Sequence, residues 1–306
     1  MAPLVWLVTG STSGLGKTLV SHIVSKGDKV VATGRNAEQR LASLVSENVA
    51  VVDLDVSDSR EVVDVQMKKA WEAFGQIDIV VNNAGSSSPK TVEEGSDQFM
   101  QNLFDVNVFG PIRVTQAILP YFRSAERGSL VFIGGGVSWA PIPFLSFYSA
   151  AKSALNRFVE GLDKELAGQG IHCTIFEPGG FASQLGAPRP GSDEGFGKYQ
   201  PKIKGYEGLF AETMEVFANE IAPNVPGDIE KIAGTMVSLV VGQADGSKRL
   251  PVRVVLGSDS MVLIRQKCKE QLEIIDELED LARSTDQDGS EGVNHGGMLR
   301  LTSMLR

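Results

Sequence analysis

The sequence is poor in the residues that build disulfide frameworks and metal sites. Its 306 residues include two cysteines, Cys173 and Cys268, far apart and outside any Cys-x-x-Cys pair, so both read as reduced core or helix-face residues. The three histidines, His22, His172 and His295, stand alone, and no metal-ligand cluster is expected from them; His172 falls in a strand-like run. Basic excess is absent too. With 29 Lys and Arg against 38 Asp and Glu the formal charge is −9, which argues against nucleic acid or an anionic membrane surface as a partner. No apolar run is long enough for a signal peptide or a membrane span, and no Asn-x-Ser/Thr sequon occurs, so a cytoplasmic protein is expected. Neither an internal repeat nor a compositional break divides the chain, whose length suits one large α/β domain.

Chemistry first shows in the helical run Phe144 to Asn156, which places Tyr148 and Lys152 four residues apart on one face. A phenol, with an unperturbed pKa of about 10, is a poor acid or base at neutral pH, but a neighbouring ammonium favours the phenolate. Such a pair can give or take a proton at a carbonyl or an alcohol. The same spacing also occurs on ordinary solvated helix faces, so the rest of the chain decides.

Branched apolar runs alternate with helical patterns from the start: strands at Pro3 to Thr9, Lys29 to Thr33, Val49 to Leu54, Ile77 to Val81, Ser129 to Ile133 and Ile171 to Phe176, with helices between them. That alternation predicts a Rossmann-like, doubly wound parallel sheet with ligands at the C-terminal ends of its strands. After the first strand come Gly10, Thr12, Ser13, Gly14, Leu15 and Gly16, a glycine turn opening a helix, where backbone can approach a pyrophosphate and free N–H groups meet it. The second strand ends at Gly34 and Arg35 in place of the acid that would hold a ribose hydroxyl, so NADP(H) is expected, unless Arg35 is only a surface residue opening the next helix. Asp55 ends the third strand and could accept from an adenine amino group, while Ser57 or Asp58 could cap the helix Arg60 to Phe74. The fourth strand runs into Asn82, Asn83, Ala84 and Gly85, a stretch suited to close backbone passage beside a ligand or to a plain turn. In a helical stretch from about Ser96 to Leu119, Asn107 lies among apolar neighbours and must find partners, a backbone group or a water leading protons to Lys152.

Together Thr9-Gly10-x-x-x-Gly14-x-Gly16, Asn82-Asn83-Ala84-Gly85, Asn107, Tyr148-x-x-x-Lys152 and Pro178-Gly179 resemble the motifs of the short-chain dehydrogenase/reductase family in its single-domain form. The resemblance covers residues 4 to about 185, and a closing strand, Pro251 to Leu256, extends it to about 257. Within the family the chain is most similar to the hydroxysteroid-dehydrogenase-like and fungal reductase branches. The resemblance implies that Tyr148 is the general acid/base, that Lys152 lowers its pKa and holds the nicotinamide ribose, and that Asn107 organises a relay water. It also implies that Pro178, Gly179, Phe181 and Ser183 lie along the nicotinamide and phosphates. One departure stands out. The family's substrate-binding Ser, thirteen residues before the Tyr, is Gly135 here. Loss of one preorganised donor costs about 10²–10³ in rate. Ser138 or Ser146 could supply it instead, Tyr148 could act with backbone N–H groups alone, or the fold could run a non-redox step such as an isomerisation or cyclisation. For a simple ketone reductase, Gly135→Ser would be expected to raise turnover.

Past the Pro-Gly loop, Gln184 to Gly205 reads as a long loop and about 184–222 as a substrate lid; Phe181, Phe196, Tyr199, Phe210, Met214 and Phe217 could line an apolar pocket or, for the helical trio, belong to the core. Asp228 should cap a helix running to about Val241. Residues 258–283 form an amphipathic helix that could pack over the domain or on a second subunit, and 284–306 are expected to be disordered. The reading that follows is an NADP(H)-dependent oxidoreductase acting between nicotinamide and a carbonyl or alcohol carbon of a hydrophobic small molecule. A non-redox enzyme retaining the nucleotide, or a cofactor-binding sensor, are the alternatives.

Overall fold

In each strand of a sheet covered on both faces, alternate side chains enter opposite cores. The first strand shows this directly: Val5 and Leu7 belong to one buried cluster, Trp6 and Val8 to another. A computed structural model describes residues 2–183, 185, 198–287 and 296–303. In chain order its elements are β1 (Val5–Val8), α1 (Gly14–Ser25), β2 (Lys29–Gly34), α2 (Ala37–Arg40), β3 (Val49–Asp53), α3 (Arg60–Glu72), β4 (Ile79–Asn82), α4 (Asp97–Phe104), α5 (Gly110–Ala125) and β5 (Gly128–Ile133). There follow α6 (Ser146–Glu165), β6 (Ile171–Pro178), α7 (Glu207–Val216), α8 (Ile229–Ala244), β7 (Arg253–Leu256), α9 (Ser258–Glu277), α10 (Glu279–Arg283) and α11 (Gly296–Ser303). The seven strands pair in parallel in the order β3-β2-β1-β4-β5-β6-β7. Helices α3, α5 and α6 close one face through Val63, Met67, Val114, Ile118, Leu155 and Val159. On the other face α1 and α8 supply Leu19, Ile23, Met236 and Val240. The order of strand addition reverses between β1 and β4, which opens a crevice at their C-terminal ends. Among the described residues no helix is long and apolar enough to cross a membrane.

Three local expectations are corrected. The helix expected without a break from 96 to 119 is α4 and α5 joined by a π-turn, Asp105–Phe109. The cause is in the sequence: Pro111 has no N–H to give the Asn107 carbonyl one α-turn earlier. Helix α3 starts from Ser59, not from a Ser57 or Asp58 cap, because the Asp55 carboxylate draws Ser57 into a turn of its own, taking bonds from its N–H at 3.0 Å and its hydroxyl at 2.6 Å. Within the segment expected to be disordered, 296–303 form α11, whose last turn is tied by the Thr302 and Ser303 hydroxyls to the Leu299 carbonyl. Residues 288–295 and 304–306 of that segment lie outside the described residues. Asp228 does cap α8, accepting from Glu230 N and Lys231 N.

Strand β7 is joined to β6 by an ion pair as well as by its backbone ladder. Glu177, 1% exposed, takes Arg253 Nε at 3.0 Å, Trp139 Nε1 at 2.9 Å and Asn156 Nδ2 at 2.9 Å. Arg253 also reaches Glu160 at 3.0 Å, and its guanidinium lies 4.2 Å from the Trp139 ring centroid. A carboxylate this deep is tolerable only while its donors remain. Replacing Arg253 by Ala leaves the charge uncompensated and should lower stability by about 3–5 kcal/mol in urea unfolding. The double change Glu177→Gln with Arg253→Met, which removes both charges together, should recover most of that loss.

Candidate active site

The turn after β1 is packed so closely that most of its glycines cannot be anything else. A Cβ on Gly10, whose φ is +69°, would lie 2.9 Å from Ala84 Cα, and one on Gly16 would lie 2.4 Å from the Gly10 carbonyl oxygen. Thr9 Oγ1 accepts from the N–H groups of Asn83 and Ala84, each at 3.0 Å, and Asn83 Nδ2 donates to the Thr9 carbonyl at 2.8 Å. Thr9 and Asn83 thus lock the first and fourth strand ends together. In the sequence both stand inside the motifs quoted above, without a role of their own. Leu15 sends its side chain into the core, so only its backbone faces the turn. Gly14 is different. A Cβ there would meet only Ser183 Cβ, at 4.0 Å, so the start of α1 stays open toward the loop after β6.

Gly34 is closely approached by its neighbour: a Cβ would come within 3.1 Å of Thr12 Cγ2. Arg35 follows it, exposed on the same edge. Asp55 lies at the end of β3, its carboxylate already bonded to Ser57. Asn82 is 2% exposed, and neither its amide nitrogen nor its amide oxygen has a partner in the structure. An orphaned buried amide is costly unless a ligand takes up its bonds. That orphan, together with the open cradle between Gly14 and Ser183, fits a dinucleotide along the crevice.

Tyr148 and Lys152 are both buried, at 7% and 4% exposure. Lys152 Nζ donates to the Ile133 carbonyl at 2.8 Å and lies 5.8 Å from the Tyr148 ring centroid. Gly85 sits between the elements: a Cβ on it would lie 3.2 Å from Asn107 Oδ1 and 3.8 Å from Lys152 Nζ. Asn107, fully buried by the π-turn, donates to the carbonyls of Ser86 and Leu103 at 2.8 and 2.9 Å and accepts from Ser86 N at 3.3 Å. The sequence-expected trio therefore converges on one place. Burial pushes the Lys152 ammonium down to about 8 and pushes the Tyr148 phenol up, so desolvation outweighs the depression of the phenol that the spacing suggested.

Ser138 is held in a protein network. Its hydroxyl donates to the Gly135 carbonyl at 2.8 Å, lies 3.3 Å from Glu177 Oε1, and accepts from Asn156 Nδ2 at 2.8 Å. Its single proton is committed to that network, which overturns its assignment as an oxyanion contact. Ser146 is exposed on the first turn of α6. Position 135 is itself constrained. A Cβ would have room, with Val137 Cγ2 at 3.9 Å and the Pro178 carbonyl oxygen at 4.0 Å, but φ is +156°, a conformation side chains rarely adopt. A serine there must first move the loop, which revises the expected gain from Gly135→Ser.

An apolar cleft just before α6 is lined by Ile142, Phe144 and Leu145 and, from α7 and the turn after it, Phe210, Met214 and Phe217. Phe144 holds φ at +66°, an unusual value for an aromatic residue, four positions before Tyr148. Tyr199 belongs to a small core with Phe144 and Phe210, its hydroxyl donating to Glu94 at 2.6 Å, and Phe181 pairs with Gly227 beside the sheet. Gln184 and Phe196 lie outside the described residues. At the far end of the crevice, Pro178 closes β6 and Gly179 N donates to the Leu256 carbonyl at 2.6 Å.

The profile of the short chain dehydrogenase family matches residues 4–192. The oxidoreductase BOA17 of Botryotinia fuckeliana is 32% identical over 262 residues, 84% of this chain and 90% of that protein. A short-chain dehydrogenase from Streptomyces avermitilis superposes with a TM-score of 0.79 at 30% identity, covering 94% of this chain and all of its own (100%). A 3-ketoacyl-(acyl-carrier-protein) reductase from Brucella melitensis, solved with NADH, has a TM-score of 0.67 at 23% identity over 84% of this chain and 97% of its own, a likeness of fold alone.

Between about 8, the value for folded Lys152, and the ordinary lysine value of 10.5, the unfolded chain holds a proton that the folded chain has released. Stability should therefore rise with pH across that window, by on the order of 3 kcal/mol from this residue. Lys152→Met should raise the urea midpoint at pH 7 and flatten that rise; an unchanged pH profile would show the ammonium is not buried as described.

Proposed function

The chain belongs to the short-chain dehydrogenase family, and we propose that it is an NADP(H)-dependent oxidoreductase working on a hydrophobic carbonyl or alcohol. The observation that carries this is the convergence of Tyr148, Lys152, Gly85 and Asn107 at the C-terminal edge of β4 and β5. When bound, the nicotinamide nucleotide supplies or accepts the hydride.

The protein's part is binding, orientation and the proton. The turn Gly10–Gly16 offers backbone N–H groups at the start of α1 for the pyrophosphate, with Thr12, Ser13, Ala84 and Ser183 around it. Arg35 favours a 2′-phosphate by charge-assisted bonding where an acid would repel it, and Asp55 borders the adenine end. Asn82 and Gly85 line the middle of the crevice, while Pro178, Gly179 and Phe181 close its nicotinamide end. Tyr148 Oη gives or takes the proton at the substrate oxygen. Lys152, still largely charged at neutral pH, stabilises the phenolate form and is kept in place by the Ile133 carbonyl. Asn107 fixes the loop through Ser86 and so sets the distance between β4 and α6. With Gly135 in place of a hydroxyl donor and Ser138 committed elsewhere, the substrate oxygen relies on Tyr148 and on backbone N–H groups of the glycine run. The apolar cleft of Ile142, Phe144, Phe210 and Met214 favours a hydrophobic substrate body.

Calorimetric titration should show NADPH binding more tightly than NADH. Arg35→Ala should weaken NADPH by roughly 10- to 100-fold, the range for a bond to a charged group, and leave NADH unchanged. Tyr148→Phe should slow NADPH oxidation with a hydrophobic ketone by about 10² or more while the nucleotide still binds. If neither nucleotide bound the wild type, the proposal would fail.

A further inference from the structure

Helix α9 is 20 residues long and fixed at one end. Its first turn is rooted in the domain: Ser260 is fully buried, a Cβ on Gly136 would lie 3.1 Å from its Oγ, and Asp259 accepts from Gly180 N at 2.7 Å. Beyond that root, an apolar stripe runs along one side through Met261, Cys268, Leu272, Ile275 and Leu278. Met261 is 44% exposed, Leu272 63%, Ile275 64% and Leu278 46%. Among the described residues nothing covers it, and α11 does not, since its own Met298, Leu299 and Leu301 are all about two-thirds exposed (66%, 66% and 63%). An isolated helix of this length is marginal in water, so its apolar side calls for a partner.

The charges on the helix say which. Its first half carries Arg265 and Lys267 against Asp259; its second half carries Glu270, Glu273, Asp276 and Glu277 against Lys269, and α10 Glu279 and Asp280 against Arg283. Two copies laid parallel would set like charges side by side. Laid antiparallel about a two-fold axis at Leu272, Arg265 of one copy lies level with Glu279 of the other, each seven residues from the axis, and Lys269, three residues from it, lies within one residue of Asp276, four residues from it. Arg265, Lys269 and Asp276 flank the apolar stripe at helical spacing, and Glu279 opens α10 just beyond it. Arg265 and Asp276 have no ion-pair partner among the described residues, while Lys269 pairs with Glu273 at 3.5 Å and Glu279 with Arg283 at 2.6 Å, exposed pairs that can exchange for intermolecular ones. We propose that α9 pairs antiparallel with α9 of a second copy of this chain, with Leu272 at the two-fold axis and Met261, Cys268, Ile275 and Leu278 completing the seam. The contact is isologous, so it closes on itself.

Sedimentation equilibrium of the full chain at low salt tests the pairing. Leu272→Glu with Ile275→Glu should raise the dissociation constant by about 100-fold or more, splitting the assembly in two, with circular dichroism confirming that the domain remains folded. Charge reversal gives a second test that leaves the apolar stripe intact. Arg265→Glu with Lys269→Glu, and separately Asp276→Lys with Glu279→Lys, should each weaken association, and mixing the two variants should restore it. Direction is read by oxidation: Leu272→Cys in a Cys268→Ser background should cross-link across the axis, whereas Cys268 in the native chain should not, because antiparallel pairing holds the two thiols about eight residues, or roughly 12 Å, apart. A wild type that sediments like the Leu272/Ile275 variant leaves the stripe to another occupant and overturns the proposal. Efficient cross-linking through Cys268 overturns the antiparallel arrangement.

Discussion

The site is organised around a cation removed from water. Lys152 lies almost wholly inside the protein, and the neighbour that holds its ammonium is the Ile133 carbonyl at the end of β5. Desolvation of that charge explains the lowered pKa, and it restricts what can stand nearby. A side chain on Gly85 would press on the Asn107 amide oxygen, at 3.2 Å from its Cβ, and come into contact with Lys152 Nζ at 3.8 Å. The π-turn that carries Asn107 is shaped by Pro111 and brings the amide in from a helix that would otherwise pass it by. Loop, turn and helix are each adapted to the space left by one ammonium group.

Much of this was legible in the sequence because it depends on short-range geometry. The four-residue spacing of Tyr148 and Lys152, the glycine turn after β1 and the alternation of strands and helices each follow from local period and predict a doubly wound sheet, which the structure has. What escaped depends on contacts between distant residues. Ser138 appeared free to serve a substrate because nothing near it in the sequence announces Asn156, 18 positions later, which donates to its hydroxyl while that hydroxyl donates to the Gly135 carbonyl. Gly135 looked like a lost serine, whereas its φ shows a turn that wants glycine. Asn82 and Asn83 are neighbours of the same type, yet one ties two strand ends together and the other is left with no partner at all.

The C-terminal region is joined to the chemistry more closely than its composition implied. Asp259 and Ser260 begin α9, and they sit on Gly180 and Gly136, in the loops after β6 and β5 that frame the crevice. Gly179 has no room for a side chain because Asp259 occupies it, with its Oδ1 only 1.8 Å from where a Cβ would be. The glycines around the site thus serve two masters, the ligand crevice on one side and the root of a helix on the other.

The pairing of Glu177 with Arg253 has a further consequence for the order in which the protein can come together. The two partners are 76 residues apart, and the arginine arrives second as the chain is synthesised. Until it emerges, β6 is an open edge carrying a carboxylate with no cation to receive it, so the first six strands can collapse but the last position of the sheet must stay hydrated. That charge blunts the growing edge against strands from other nascent chains and favours the segment whose guanidinium reaches it diagonally, from the position opposite Ile175. A residue buried in the finished protein is, during assembly, a gatekeeper.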